Sequence, residues 1–539
     1  MLLSDTAPEL DQKLIWRLIE ISTALSGERN TSRLFEKILD AAQDITGADG
    51  GTLYLQRERD GKLVLEFEIL RNNSLKLRLG GTSGNPISLA PLPLYRDDGH
   101  PNHNNIATHT ALTKRMENIE DAYCAEHLDF SGTKAFDQRA GYRSTSFLTV
   151  PLCNHADEVI GVLQLVNARD PDTGETIPFA RELEPIVAAL ASSAAIALDN
   201  QILLQDHKEL LNAFIQVIAQ AIDAKSFHTS AHCQRVPVLT ELIAQAACES
   251  DFGPLEHFNL DENEWYELRV ASWMHDCGKL ATPDYVLDKA TKLHLLIDGI
   301  DTVKARFTAL MAQTELRFLR QMMADPQRES SLKDVLEDEL ASLRDDCAFI
   351  EKANVGGEFM KPEDQARVRR VAERKWLDHL GMEQPMLTAD EIKFLCIERG
   401  TLSFEERQKI NDHMKVTIQM LESLPFPKNL RRVPEYAGGH HEKMDGTGFP
   451  RGLKREEMSW PARMMAIADI FEALTASERP YKPPMKISQA LSILQRMRDQ
   501  SHIDPDLYVL FVQSRVWEKY ARIYLRPEQL DVSDASAYF

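Results

Sequence analysis

The stretch His440-His441-Glu442-Lys443-Met444-Asp445-Gly446-Thr447-Gly448-Phe449-Pro450 sets two adjacent imidazoles in front of an Asp-Gly and Gly-Phe-Pro turn. Packing does not account for tandem histidines. Imidazole nitrogens combined with carboxylates bind divalent transition metals, so further ligands are expected elsewhere in the chain. Upstream, Ala271-Ser272-Trp273-Met274-His275-Asp276-Cys277-Gly278-Lys279-Leu280 ends an apolar helical run on an adjacent His and Asp. A carboxylate so placed can bridge two ions while the imidazole holds one, and Lys279, one turn after Asp276, can aim its ammonium at the same centre. Ser403 and Glu406 have capping-box spacing, which predicts a helix that starts at Ser403 and carries His413. Asp469 falls mid-helix in the otherwise apolar segment 463–475; an unpaired buried carboxylate is costly, and metal ligation removes that cost.

These pieces follow the order found in the HD-GYP phosphohydrolases. Ala231-His232-Cys233-Gln234-Arg235-Val236 resembles the segment around that family's first metal histidine, and His275-Asp276-Cys277-Gly278-Lys279 matches its HDxGK motif in full. Gly448-Phe449-Pro450 stands where the family has Gly-Tyr-Pro, and Arg479-Pro480-Tyr481-Lys482 matches its RPY segment. The resemblance implies one ion held by His232, His275, Asp276 and Asp469 and another held by Asp276, His413, His440 and His441, with Asp276 bridging. Two such ions can activate water and clamp a phosphodiester oxygen. Iron or manganese suits the mixed donors, and nickel, cobalt or zinc would also fit. A third ion is not expected: members that bind one place a glutamate four residues before the first histidine, where this chain has His228. Asp276 and Lys279 are the implied catalytic residues, with Lys279 countering charge on the phosphate. Lys279, Arg479 and Lys482 are the implied substrate contacts. The implied reaction is hydrolysis of cyclic di-GMP to pGpG and onward to GMP; 3′,3′-cyclic GMP-AMP as substrate, or a catalytically silent nucleotide receptor, stay open.

The first 200 residues read differently. Leu14, Leu18, Ile21 and Leu25, then Leu34, Ile38, Ala41 and Ile45 after an N-cap at Thr31-Ser32, predict two amphipathic helices. Gly50 to Leu55 and Lys62 to Leu70 predict a strand pair turning at Arg59 to Gly61, and Ser146 to Leu152 and Val159 to Asn167 predict another. This order, and "VPLCNHADEVIGVLQLVNARD" above all, is similar to a GAF domain, which implies an effector of unknown identity. His100, His103, His109 and His127 lie in its loop-rich middle and are read as ordinary loop histidines.

Leu183, Ile186, Leu190, Ala194, Ala197, Leu204, Leu211, Ile215, Ile218 and Ile222 recur at helical spacing and predict a long linking helix whose stripe is the seam of a homodimer. The expected architecture is multidomain: an α+β GAF sensor domain (1–182), the connecting helix (183–225), and an all-α HD-GYP metal-dependent phosphohydrolase domain (226–295 and 398–539) interrupted by a helical insertion (296–397). In the insertion, Val303, Phe307, Leu310 and Met311 form one stripe and Leu332, Val335, Leu336, Leu340 and Leu343 another. They predict helical hairpins that serve as lid, dimer contact, docking surface for a protein partner, or plain elaboration.

With 62 basic and 83 acidic residues among 539, the chain carries a formal charge of −21. That charge disfavours binding to nucleic-acid polymers and anionic membranes. Seven cysteines lack CxxC or paired spacing, which suits reduced thiols in cytoplasm. The longest apolar run, 185–198, is shorter than a bilayer span and the start lacks a basic signal-peptide region, so a cytoplasmic protein without membrane contact is expected.

Overall fold

The computed structural model describes residues 7–125, 128–225, 232–251, 253–357, 359–476 and 484–539, with His127 among the residues outside this set. It divides into two compact units, Met1–Leu210 and Leu211–Phe539.

The first unit opens with α1 (Ala7–Ser26) and α2 (Thr31–Thr46). The cap of α2 is Asn30, whose side chain accepts from the Arg33 N–H, one residue earlier than the Thr31-Ser32 cap expected from sequence. Next come β1 (Ala48–Arg59), β2 (Lys62–Asn72), β3 (Leu77–Gly80), β4 (Leu92–Pro93), α3 (Ile106–Thr113), β5 (Glu117–Ile119), α4 (Ser131–Ala140), β6 (Phe147–Cys153), β7 (Val159–Arg169) and β8 (Thr176–Ile177). The antiparallel sheet runs β3-β2-β1-β7-β6-β5, so both strand pairs foreseen from period-2 alternation lie at its centre. Asp60 (φ 50°) and Gly61 (φ 74°) make the two-residue turn between β1 and β2, in the left-handed backbone that such hairpins require. Alternate residues supply two cores: Leu53, Leu55, Leu163 and Leu165 pack with α2, and Tyr54, Leu65 and Val162 pack with Ala107 and Ala111 of α3.

Helix α5 (Glu184–Lys225) follows. The stripe expected to be a dimer seam is largely buried within the chain itself: Leu190, Ala194 and Ala197 belong to the core beneath the sheet, and Ile215 and Ile222 to the core of the second unit, with Leu211 and Ile218 packed against it. The 3.6-residue stripe is mainly the helix's core face, with Leu204, 57% exposed, outside both cores. The stretch Arg181–Lys225 is long and apolar enough to cross a membrane by length and composition, contrary to the run of sub-bilayer length expected from sequence; core helices of soluble proteins pass the same test. Val187, Leu190, Ala191, Ala194, Ala195 and Leu198 are buried among protein side chains, while 39% of the most apolar window as a whole is buried.

The second unit contains α6 (His232–Cys248), α7 (Glu262–Met274), α8 (Asp284–Leu287), α9 (Ile300–Ala324), α10 (Glu329–Val355), α11 (Pro362–Ala372), β9 (Lys375–Leu377), β10 (Glu383–Pro385), α12 (Ala389–Leu395), α13 (Phe404–Asn411), α14 (His413–Glu422), α15 (Val433–Gly438), α16 (Trp460–Thr475), α17 (Ile487–Asp499), α18 (Pro505–Gln513) and α19 (Val516–Tyr524). Its main core gathers α6, α7 and α15 to α19 around Phe471, Phe511, Trp517 and Tyr520. The 300–396 stretch has a core of its own, in which Val303 and Phe307 meet Leu343, Ile350, Val368 and Leu395. Sequence missed the β9-β10 hairpin there, which lacks a long alternating run, and Val335 of the second predicted stripe is 53% exposed.

Candidate metal centre

Four local structures converge at Asp276. Helix α7 ends at Met274, which leaves His275 and Asp276 at its C-terminus, and a single 3-10 turn, Cys277–Ala281, carries Lys279 back so that Nζ donates to Asp276 Oδ2 at 2.5 Å. Gly278 lies against α14 so closely that a Cβ there would fall 2.0 Å from the His413 carbonyl oxygen, and its N–H donates to Thr417 Oγ1 at 2.9 Å. The glycine of HDxGK therefore permits the approach that brings Asp276 Oδ1 to 3.2 Å from His413 Nε2. The Ser403/Glu406 capping box exists, but the helix it starts, α13, stops at Asn411, and His413 opens the next one. The His413 ring Nδ1 bonds the Ile410 carbonyl near the end of α13, where helix carbonyls lack intrahelical partners.

His440 and His441 follow the short helix α15. Glu442, 1% exposed, accepts from the backbone N–H groups of Arg451 (2.7 Å) and Leu453 (3.0 Å) and so ties down the loop behind them. Phe449 stacks on His441 with ring centroids 4.9 Å apart and planes at 16°, which needs the ring and no tyrosine hydroxyl. A Cβ on Gly448 would lie 2.4 Å from the Lys443 nitrogen, so only glycine fits that turn. From α16, Asp469 Oδ1 reaches 3.2 Å from His232 Nε2, at the start of α6, and 3.9 Å from His275 Nε2.

Two groups of donor atoms suited to a metal ion result: Asp276, His413, His440 and His441, and His232, His275 and Asp276, with Asp469 beside the second. The Nε2 atoms of His232, His275, His413 and His440 and Oδ1 of Asp276 are buried with no hydrogen-bond partner. Orphaned buried acceptors and donors are rare because each loses its hydration. Here they point at one another, and divalent cations would satisfy them together. The Nδ1 atoms of His275 and His440 are occupied by the carbonyls of Ser272 and Ala437, both at 2.7 Å, which leaves Nε2 inward.

Charge follows position. Burial alone would raise the Asp276 carboxyl, but the Lys279 ammonium and His275 outweigh it and hold Asp276 well below the usual carboxylate range. Asp469 moves the same way: burial opposes, and the His232 imidazole beside it prevails. Burial, with His441 and His275 alongside, keeps His440 neutral far below the ordinary imidazole range, and burial pushes His441 down to about 4. Both rings thus offer lone pairs at neutral pH. For His232, burial is overcome by Asp276, Asp469 and Glu472, which raise it.

Sequence reasoning missed Glu472. One turn beyond Asp469 on α16 and 1% exposed, it bonds His232 Nδ1 at 2.5 Å and accepts from Arg235 Nε at 2.7 Å. A second carboxylate three residues after Asp469, within an apolar helix, was the available signal. Glu442 was missed as well, though a buried acceptor is needed wherever a glycine-rich loop leaves amides unpaired. Arg479, Lys482 and His228 lie outside the described residues.

A family model for the HD domain matches residues 386–507, and one for the GAF domain matches residues 30–198. Among curated proteins, the 3′3′-cGAMP-specific phosphodiesterase 3 of Vibrio cholerae is 36% identical over 137 residues, 25% of this chain and 29% of that protein. A cyclic di-GMP phosphodiesterase of Thermotoga maritima is 26% identical over 204 residues, 34% of this chain and 53% of its own length. The chain thus spans between 29% and 53% of these relatives. The GAF domain of an Acinetobacter phosphoenolpyruvate-protein phosphotransferase aligns over 36% of this chain and 98% of its own, with 15% identity and a TM-score of 0.26. The chain therefore joins a GAF domain, matched over residues 30–198, to an HD domain, matched over residues 386–507.

Proposed function

We propose that the protein is a metal-dependent phosphodiesterase that hydrolyses cyclic di-GMP to pGpG and onward to GMP. The observation that carries this reading is the sharing of Asp276 by two groups of donors, most of them buried and otherwise unpartnered, of which His413, His440 and His441 lie within the residues that the HD-domain model matches. His232, His275, Asp276 and Asp469 would hold one ion, and Asp276, His413, His440 and His441 the other; iron or manganese suits this mixture of nitrogen and carboxylate donors. When bound, the ions would supply Lewis-acid charge for attack of water on the phosphodiester. The chain's own part is to fix the donors, keep His440 and His441 neutral by burial, and hold a cation beside the phosphate. For that last task burial weakens the Lys279 ammonium, and Asp276 and Asp469 more than restore it. Arg479 and Lys482 are proposed to add positive charge for the substrate.

The same reading makes residues 1–182 a sensor for an effector, 183–225 the connecting helix of a homodimer, and 296–397 an insertion within the catalytic domain available to a protein partner. A cytoplasmic setting agrees with seven free cysteines, and the charge of −21 agrees with neither nucleic-acid polymers nor anionic membranes as partners. Because curated relatives include proteins named for both cyclic di-GMP and 3′3′-cGAMP, both substrates belong in the test. Anaerobically purified protein is analysed for metal content and incubated with each dinucleotide, and the products are separated. About two transition-metal ions per chain and linear pGpG or GMP are expected, with loss of turnover in His275→Ala/Asp276→Ala. Cleavage of 3′3′-cGAMP alone would replace the substrate, and full metal occupancy with neither cleaved would reject the enzyme.

A further inference from the structure

Helix α13 has no fully buried apolar side chain. Of its eight residues only Glu406 is buried, and Phe404, which opens the helix, is 81% exposed. What seats α13 is a charge: Glu406 Oε1 accepts from Lys289 Nζ at 2.6 Å, with both residues 7% exposed, while Oε2 closes the capping box on the Ser403 N–H at 2.8 Å. The bonds from Lys393 to Glu405 (2.9 Å) and from Lys409 to the Tyr285 hydroxyl (3.3 Å) lie at the exposed surface, where such contacts contribute little. Lys289 stands at the root of the insertion. Its ammonium lies 4.1 Å from the centre of the Phe394 ring in α12, and its carbonyl accepts from Thr401 Oγ1 at 3.1 Å. Three residues on, the buried Lys292 ammonium donates to the carbonyls of Leu395 (2.9 Å) and Ile397 (2.8 Å), which ties the segment entering the insertion to the segment leaving it.

One turn beyond Glu406, the Ile410 carbonyl holds His413 Nδ1. Two supports therefore fix that imidazole: α14, packed against Gly278, sets its backbone, and the end of α13 sets the rotation of its ring. We propose that Lys289 and Glu406 are positioning residues for His413, through which the root of the insertion sets the affinity of the ion assigned to Asp276, His413, His440 and His441. Removing one partner of a buried ion pair strands the other charge without hydration, whereas removing both charges together is often nearly neutral. With Lys289 uncharged, Glu406 is drawn toward water, α13 shifts with it, and the Ile410 carbonyl leaves the imidazole. The other group of donors is spared, because His232 is oriented by Glu472 and His275 by the Ser272 carbonyl. The inference rests on the two-ion site of the proposed function and is independent of the substrate.

Full-length Lys289→Met, Glu406→Gln and the double variant Lys289→Met/Glu406→Gln are loaded with manganese beside wild type and titrated with chelator, and bound metal is counted by elemental analysis. Glutamine keeps an oxygen for the Ser403 N–H. In each single variant one ion is expected to leave at about 10-fold less chelator than in wild type and the other at the wild-type concentration, while the double variant returns to the wild-type curve. Lys393→Ala, which removes an exposed pair on the same helix, should match wild type. Adding Lys289→Met to Glu472→Gln, which strips the carboxylate behind His232, should weaken the second ion as well; further loss from the same ion overturns the assignment to His413. Wild-type curves for the single variants, equal loss of both ions, or a double variant no better than the singles would also overturn it. Should the single variants fail to fold by circular dichroism, Phe394→Leu, which withdraws the ring beside the Lys289 ammonium and keeps both charges, is titrated instead: selective weakening of one ion supports the positioning, and an unchanged curve or equal loss overturns it. Turnover of the cyclic dinucleotides is measured on the same samples. A wild type that holds two ions and cleaves neither dinucleotide rejects the phosphodiesterase and leaves the chelator curves to decide the positioning, whereas a wild type that binds no ion rejects both.

Discussion

Replacing Glu472 by Gln separates the two proposed ion sites. Glu472 is 1% exposed, and its two oxygens serve His232 Nδ1 and Arg235 Nε. Glutamine is nearly isosteric, but one oxygen becomes an NH2 that cannot accept, and the negative charge behind His232 is gone. Removing the outer carboxylate of a ligating histidine typically costs 10–100-fold in metal affinity, or about 1.4–2.7 kcal/mol. The histidines His275, His413 and His440 are oriented instead by the backbone carbonyls of Ser272, Ile410 and Ala437, which the substitution leaves alone. The loss should therefore fall on the ion held with His232. Full-length wild type and Glu472→Gln are loaded with manganese, equilibrated against a graded series of chelator, and assayed for bound metal. The expected curve for the variant has two steps, one at wild-type chelator concentration and one at about 10–100-fold less. A curve superimposable on wild type, or one in which both ions leave together at the lower concentration, would refute the assignment of Glu472 to His232 alone.

Three further outcomes are expected. Gly278→Ala places a Cβ 2.0 Å from the His413 carbonyl oxygen, so both ions should be lost while the GAF domain keeps its fold; retention of both by elemental analysis would sink the close-approach explanation. Chelation should lower the melting temperature, because each ion present at about 100 times its Kd contributes about 2.7 kcal/mol to the folded state; identical melts with and without chelator would contradict the burial of unpartnered donors as a binding site. In metal-free protein, burial sets His441 at about 4 against an ordinary value of 6.5. The unfolded chain takes up a proton that the folded ring refuses, so the stability contributed is present above pH 6.5 and is lost as pH falls toward 4. Wild type should lose more stability between pH 7 and 5 than His441→Gln, and equal losses in calorimetry would count against a buried neutral ring.

Local signals in the chain carried much of the fold. Capping boxes, alternating strands and apolar stripes act over a few residues, so Ser403 and Glu406 marked a helix start, and Lys62 to Leu70 a strand, wherever those segments ended up. The two central strand pairs and the linking helix followed from such local periods, while the order β3-β2-β1-β7-β6-β5 did not. Boundaries were less legible: His413 belongs to α14 because α13 ends a residue before Asp412, and no propensity distinguishes that break from a continuous helix.

The site divides in the same way. His275, Asp276, His440 and His441 stood out by themselves, since adjacent ligand-type residues beside glycine turns have few packing explanations. Glu472 did not, because its partner His232 is 240 residues away and only the packing of α6 on α16 brings them together. Nor could sequence say why HDxGK needs its glycine; that reason is the carbonyl of His413 across an interface between elements. Helix α5 is the clearest division. The sequence by itself determined a long helix with one apolar stripe, Leu183 to Ile222, and could not say whether that stripe faces the chain's own cores or a second chain. Tertiary structure decided that Leu190, Ala194, Ile215 and Ile222 are covered while Leu203, Leu210 and Val217 are left bare. Burial is a property of what lies opposite a side chain, which periodicity along one helix does not encode.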